Sequence, residues 1–188
     1  MHQILVSKEE IQELVKKLAN ELSNLFKDDE VPPVFIGVLK GSMPFMMDLM
    51  KYITIPVQMD FIQVSSFMGT ESTGVLKLKK DISMQIANRN VVVIEDIIDS
   101  GITLKWLHEY LETNYNPNKV YTCALIDKRC KRKVDYNADY VGKIIDDYFI
   151  AGYGLDYYDF YRNTDYIFIP SKEDLQLVDD LVEKYHIG

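Results

Sequence analysis

The run VVVIEDIIDSGIT (residues 91–103) places three carboxylates, two hydroxyls and a glycine in one short span. Val91, Val92, Val93 and Ile94 are all β-branched and read as a strand buried on both faces of a parallel sheet. That strand delivers Glu95 and Asp96 at its carboxyl end, the edge at which open α/β sheets bind ligands. Two adjacent carboxylates are costly there unless they are solvated, hydrogen-bonded or bridged by a metal. Ribose hydroxyls and Mg2+ are natural partners: carboxylates accept from vicinal hydroxyls, and Mg2+ prefers oxygen ligands while keeping its waters. Asp99, Ser100, Gly101, Ile102 and Thr103 then form a turn into a helix. Gly101 permits close backbone approach, Ser100 and Thr103 supply hydroxyls, and the helix N-terminus turns N–H groups toward an anion. A monophosphate suits that turn. Taken singly, Asp99 or Ser100 is an ordinary helix cap and the acid pair a solvated strand end. Their convergence on one strand end favours a ribose-phosphate site, and GxxxxGK[ST] and GxGxxG are both absent.

Other segments carry weaker chemistry when read alone. Leu39-Lys40-Gly41-Ser42 is a turn with a surface lysine, and residues 65–74 are a polar, glycine-bearing loop. Lys128 opens the basic cluster Lys128-Arg129 and Lys131-Arg132-Lys133, of which Arg129, Lys131 and Lys133 read as a solvated face. The aromatics of DDYFIAGYGLDYYDFYRN (residues 146–163) read as core. His2, His108 and His186 are scattered, and Cys123 and Cys130 lack metal-ligand spacing.

The elements that must position these residues follow from periodicity. Ser7 and Glu10 form a capping box, and apolar residues from Ile11 to Phe26 repeat at helical spacing. Residues 34–39 read as a buried strand, and a helix follows Ser42 with Pro44 in its first turn. Strands are predicted over 57–64, 75–80 and 91–94, a helix over 103–111 and a strand over 119–126. Short strands are predicted near Val141 and over 148–151 and 166–169, before a last helix capped by Ser171 with Asp174. Strands alternating with helices indicate an α/β fold around a largely parallel sheet. The chain of 188 residues shows no linker or repeat, so residues 1–188 are expected to form a single domain. A net charge of -8 argues against nucleic-acid binding, and no apolar run approaches membrane-spanning length. The N-terminus lacks a signal-like apolar stretch, so a cytoplasmic protein is expected.

The 91–103 run resembles the 5-phosphoribosyl 1-pyrophosphate (PRPP) signature of the type I phosphoribosyltransferases. From about Ile4 to Ile169 the chain is similar to the hypoxanthine-guanine phosphoribosyltransferases. The resemblance implies the type I fold: a largely parallel central sheet flanked by helices, with a flexible lid loop and a small hood. It implies purine salvage, with the phosphoribosyl group passing from PRPP to N9 of hypoxanthine or guanine to give IMP or GMP and pyrophosphate. Mg2+ is the implied cofactor and a homodimer or homotetramer the implied assembly.

Site roles follow from the same resemblance. Asp99 becomes the catalytic base. Glu95, Asp96 and Asp99 to Thr103 (with Ser100, Gly101 and Ile102) hold the ribose and 5'-phosphate. Lys40, Gly41 and Arg162 serve pyrophosphate, with a cis peptide before Lys40. Lys128, Phe149, Ile150 and Asp156 surround the purine, where the Lys128 ammonium donates to the exocyclic oxygen and selects 6-oxopurines over adenine. Glu95, Asp96 and Asp156 hold the metal. Ser66-Phe67 opens the lid, where the family has Ser-Tyr; the tyrosine hydroxyl and its contacts are missing from this chain. Other readings of the same residues are a PRPP-sensing regulator, an enzyme for xanthine or a pyrimidine, and a metal-binding receiver-type module.

Overall fold

A computed structural model describes residues 2–66 and 76–187. The chain runs β1 (Gln3–Val6), α1 (Lys8–Phe26), β2 (Val34–Val38), α2 (Met43–Tyr52), β3 (Gln58–Ser66), β4 (Leu76–Lys80) and β5 (Asn90–Ile98). It continues through α3 (Ile102–Tyr115), β6 (Lys119–Asp127), β7 (Tyr140–Ile144), β8 (Ile167–Ile169) and α4 (Lys172–Tyr185). The main sheet has the order β4-β3-β2-β5-β6-β7 and is parallel except for β4, which runs antiparallel to β3. β1 and β8 form a separate antiparallel pair.

Each face of the sheet has its own core. Ile11, Val15, Leu18 and Leu22 of α1 and Phe45, Met46 and Leu49 of α2 pack with Phe35, Val92 and Ile94 on one face. Leu104, Leu107 and Leu111 of α3 pack with Ile36, Val91 and Val93 on the other. The β-branched run of β5 is thus buried on both sides, as its composition predicts.

The α1 cap differs from the expected reciprocal box. Ser7 Oγ accepts the Glu10 N–H, but the Glu10 carboxylate pairs with Lys143 of β7. The box at α4 is complete: Ser171 and Asp174 cap each other. No strand forms over 148–151; only Ala151 makes an isolated bridge, to Phe168. β1 was not expected, and β5 continues four residues beyond Ile94. No helix among the described residues is long and apolar enough to cross a membrane.

Candidate active site

β5 outruns its neighbour. β2 pairs with β5 as far as Gly37↔Ile94 and ends at Val38, whereas β6 accompanies β5 through Glu95↔Ala124 to Ile98↔Asp127. Glu95 and Asp96 therefore lie inside a strand, at the point where one flanking strand has stopped. They are not a solvated strand end: only 9% of Glu95 and 7% of Asp96 is exposed. The turn after β2 closes over them. A Cβ on Gly41 would sit 1.9 Å from Asp96 Oδ2, and a Cβ on Gly154 (φ +99) would sit 1.9 Å from the Gly41 carbonyl oxygen. Asp96, the Gly41 backbone and the Gly154 backbone stack in direct contact, which no larger residue at either glycine permits. The Leu39–Lys40 peptide in this turn is cis, as the resemblance implies.

Burial is the first cause of the raised proton affinity of Glu95, and the neighbouring charge of Asp96 adds to it, so its carboxyl lies well above its ordinary range. Burial also raises Asp96, opposed by hydrogen bonding with Glu95, by the Ile97 N–H at 2.9 Å and by the positive charge of Arg162. Among the described residues, neither carboxylate has a Lys or Arg at ion-pair distance. Two acids without a cationic side chain accommodate a proton or an oxygen-seeking cation.

The turn after β5 is stapled from the far side. Gly101 (φ +81) takes the cap position of α3, and Ser100 Oγ accepts the Ile102 N–H at 3.3 Å. The Lys128 N–H donates to the Ile98 carbonyl (2.9 Å) and the Lys133 N–H to the Ser100 carbonyl (2.9 Å). Arg132 Nη1 donates to the Asp99 carbonyl at 2.7 Å, while its Nη2 pairs with Asp127, whose carboxylate is buried. Arg129 also pairs with Asp127, and Lys131 with Asp147. Arg129, Lys131 and Lys133 are exposed, as expected of a solvated face, whereas the Arg132 side chain is only 14% exposed and clamps the turn. Asp127, at the end of an apolar strand, is the one sequence signal for that clamp.

A cavity of about 280 Å³ opens over this turn, walled by Glu95, Asp96, Asp99, Ser100, Gly101 and Thr103. Ile102 does not wall it. Val64 of β3 and Leu76 of β4 reach its rim. Ser66 ends β3, and Phe67 lies outside the described residues.

The remaining predicted site residues are not part of its wall. Lys128 is 7% exposed, and its ammonium has no hydrogen-bond or ion-pair partner among the described residues. Phe149 is half-exposed, its ring edge-on to Tyr157 at 5.6 Å, and Ile150 beside it is buried. Arg162 Nη2 bridges Asp156 (2.8 Å) and Asp159 (2.7 Å), and Nη1 donates to the Gly154 carbonyl. Lys40 pairs with Asp159 at 2.7 Å. Asp156 also accepts the Asp159 N–H (2.8 Å), and no three ligating side chains converge among the described residues. The structure thus joins Glu95 to Asp96 and leaves Asp156 with Arg162. Asp159 and Gly154 carry contacts that sequence reading did not assign; the close glycine pair GYG was the available hint for Gly154.

In metal-free buffer, Glu95→Gln should stabilise the protein at pH 7–8 by on the order of 1–3 kcal/mol, the cost of an uncompensated buried polar group. A folded carboxyl raised above its unfolded value binds more protons than the unfolded chain, so stability falls as pH rises through that interval. The advantage of Glu95→Gln should accordingly shrink toward pH 4. Denaturant unfolding across that range measures it, and a pH-independent difference would contradict this account.

Residues 4–158 match the family model of the phosphoribosyl transferase domain. The hypoxanthine-guanine phosphoribosyltransferase of Bacillus subtilis is 44% identical over 168 residues, covering 89% of this chain and 92% of the relative. A hypoxanthine phosphoribosyltransferase structure from Staphylococcus aureus superposes with a TM-score of 0.85 at 42% identity, covering 91% of this chain and 92% of the other. One from Trypanosoma cruzi, in complex with the product IMP, gives a TM-score of 0.85 at 37% identity, with 91% and 95% covered. With the β5 acid pair, the turn at Gly101 and the glycine contact at Asp96 on this same fold, the chain belongs to the phosphoribosyltransferase family, in the branch of the hypoxanthine-guanine enzymes.

Proposed function

We propose that this protein transfers the 5-phosphoribosyl group of PRPP to N9 of hypoxanthine, and of guanine, giving IMP or GMP and pyrophosphate. One observation carries the reading: the adjacent strands β5 and β6 bring together, at one edge of the sheet, a buried acid pair with the turn that follows it and Lys128, a largely buried residue whose ammonium has no hydrogen-bond or ion-pair partner among the described residues. A sugar phosphate and an oxygen-bearing base need those two sets of groups side by side. Lys128 donates to the purine exocyclic oxygen. Adenine presents an amino donor at that position and leaves the ammonium unmatched. Phe149 offers a ring face to the base, and the backbone at Ile150 reads its edge. Ser100, Gly101, Ile102 and Thr103 hold the 5'-phosphate with hydroxyls and N–H groups at the start of α3.

Bond breaking at the anomeric carbon runs ahead of bond making, so positive charge grows on the ribose and negative charge on the departing pyrophosphate. Lys40 and Arg162, with the Gly41 backbone, neutralise the latter. Asp99 accepts the purine N7 proton, which makes N9 the better nucleophile. Glu95 and Asp96 hold the ribose hydroxyls. Their all-oxygen pairing, with no Lys or Arg at ion-pair distance among the described residues, also fits Mg2+, which needs few protein ligands beside water and substrate oxygens; Asp156, expected as a third ligand, stays with Arg162 and is not brought to them. Bound there, Mg2+ supplies charge neutralisation for the diphosphate. The protein acts as one domain, in the cytoplasm, without nucleic acid or membrane. It assembles as a homodimer or homotetramer, for which the exposed Met43 and Met47 on one side of α2 supply apolar surface.

Initial rates with PRPP and Mg2+ test the proposal: turnover is expected with hypoxanthine and guanine and none with adenine. No turnover with any 6-oxopurine would overturn it. Asp99→Asn should lower kcat by about 10²–10⁴-fold, the range of general acid–base catalysis, while PRPP binding persists; near wild-type kcat would remove the assigned role. Lys128→Ala should raise KM for hypoxanthine by at least about tenfold and leave KM for PRPP within about twofold, a loss of 1.4 kcal/mol or more confined to the base. Equal losses for both substrates would place Lys128 elsewhere.

A further inference from the structure

Asp159 stands between the two cations assigned above to pyrophosphate. Its Oδ2 meets Lys40 Nζ at 2.7 Å, and its Oδ1 accepts from Arg162 Nη2 at 2.7 Å and Nε at 3.1 Å. One carboxylate thus engages a cation from the turn after β2 and another from the segment before β8. The loop is shaped for this contact. Tyr158, Asp159 and Tyr161 all have positive φ (50°, 65° and 72°), and the Asp159 N–H is tied to Asp156 Oδ2. Of these three, aspartate is the residue that tolerates the left-handed region most readily. Lys40 and the Asp159 side chain are both more than half exposed, so the pair meets solvent and exchanges with a dissolved anion at modest cost.

A diphosphate needs both cations, and its oxygens would repel a carboxylate already bound to them. We propose that Asp159 is an internal counter-anion: it holds Lys40 and Arg162 together in the substrate-free protein and is exchanged for the diphosphate of PRPP or for free pyrophosphate. Asp159 is a positioning residue that weakens diphosphate binding, and it thereby favours release of the product. Asp156 keeps its own contact with Arg162, so loss of Asp159 does not leave the guanidinium without an acidic partner. The inference rests on the assignment of Lys40 and Arg162 to pyrophosphate made under the proposed function.

The test is calorimetric titration of wild type, Asp159→Asn and Asp159→Glu with inorganic pyrophosphate in the presence of Mg2+, together with steady-state kinetics. Asp159→Asn removes both the competition and the repulsion. It should tighten pyrophosphate about three- to tenfold, the scale of two exposed ion pairs. KM for PRPP should fall in the same proportion and KM for hypoxanthine stay unchanged, a split that a general loss of stability would not produce. Asp159→Glu should restore values near wild type, because its carboxylate reaches the same cations. Unchanged or weaker pyrophosphate binding by Asp159→Asn would overturn the inference. Wild type that binds no pyrophosphate would instead sink the assignment of Lys40 and Arg162.

Discussion

The site depends on two neighbouring carboxylates kept out of water where one strand outruns another. Glu95 and Asp96 are both buried, the charge of Asp96 raises the proton affinity of Glu95, and no Lys or Arg side chain in the described structure neutralises either directly. Such an arrangement costs stability in the free protein and is retained where a ligand or cation repays it. β5 can hold the pair because β6 continues to hydrogen-bond it on one side. β2 has ended on the other, and the gap is filled by the Gly41 backbone rather than by another side chain. Gly154 then packs on Gly41, so the hood is fitted to the acids through two glycines in series. A methyl group at either position would push the turn after β2 off Asp96.

Charge is distributed in three layers around that pair. The acid pair is buried at the centre. The buried Asp127, at the end of β6, anchors Arg132, which grips the Asp99 carbonyl and fixes the backbone from which the catalytic carboxylate of the proposed reaction projects. Outermost are Lys40 and Arg162, which meet through Asp159. An acidic protein of net charge -8 thereby offers a local cluster of cations to phosphate. The anion binding proposed for it is a matter of placement, not of net charge.

The two halves of the site are joined by backbone. Lys128, Arg132 and Lys133 each contact β5 or its turn, so the strand end that carries the lysine proposed to select the base also shapes the turn proposed to hold phosphate.

Much of this was legible in local sequence. The buried run 91–94, the glycine-hydroxyl turn after it, the caps at Ser7 and Ser171 and the periodicity of α1 are short-range features. Each is set by residues within one or two helical turns, and each recurs in the structure. The resemblance added the cis peptide at Lys40 and the fold. What failed was non-local. Two charged residues look like the end of a strand, because burying them is costly; only the register of β5 against β6 carries the strand on to Ile98. β1 is four residues long and exists through pairing with β8, more than 150 residues away, for which the segment itself holds no signal. Arg129, Lys131 and Lys133 are exposed as their charge suggests, but the partner of Arg132, the buried Asp127, is set by packing and not by the local run of charges. Composition and spacing determined which groups this protein could bring to bear on a sugar phosphate. Whether a given charge faces water, a buried acid or another cation's partner was decided by tertiary packing, because burial and ion pairing depend on neighbours that are close in space and distant along the chain.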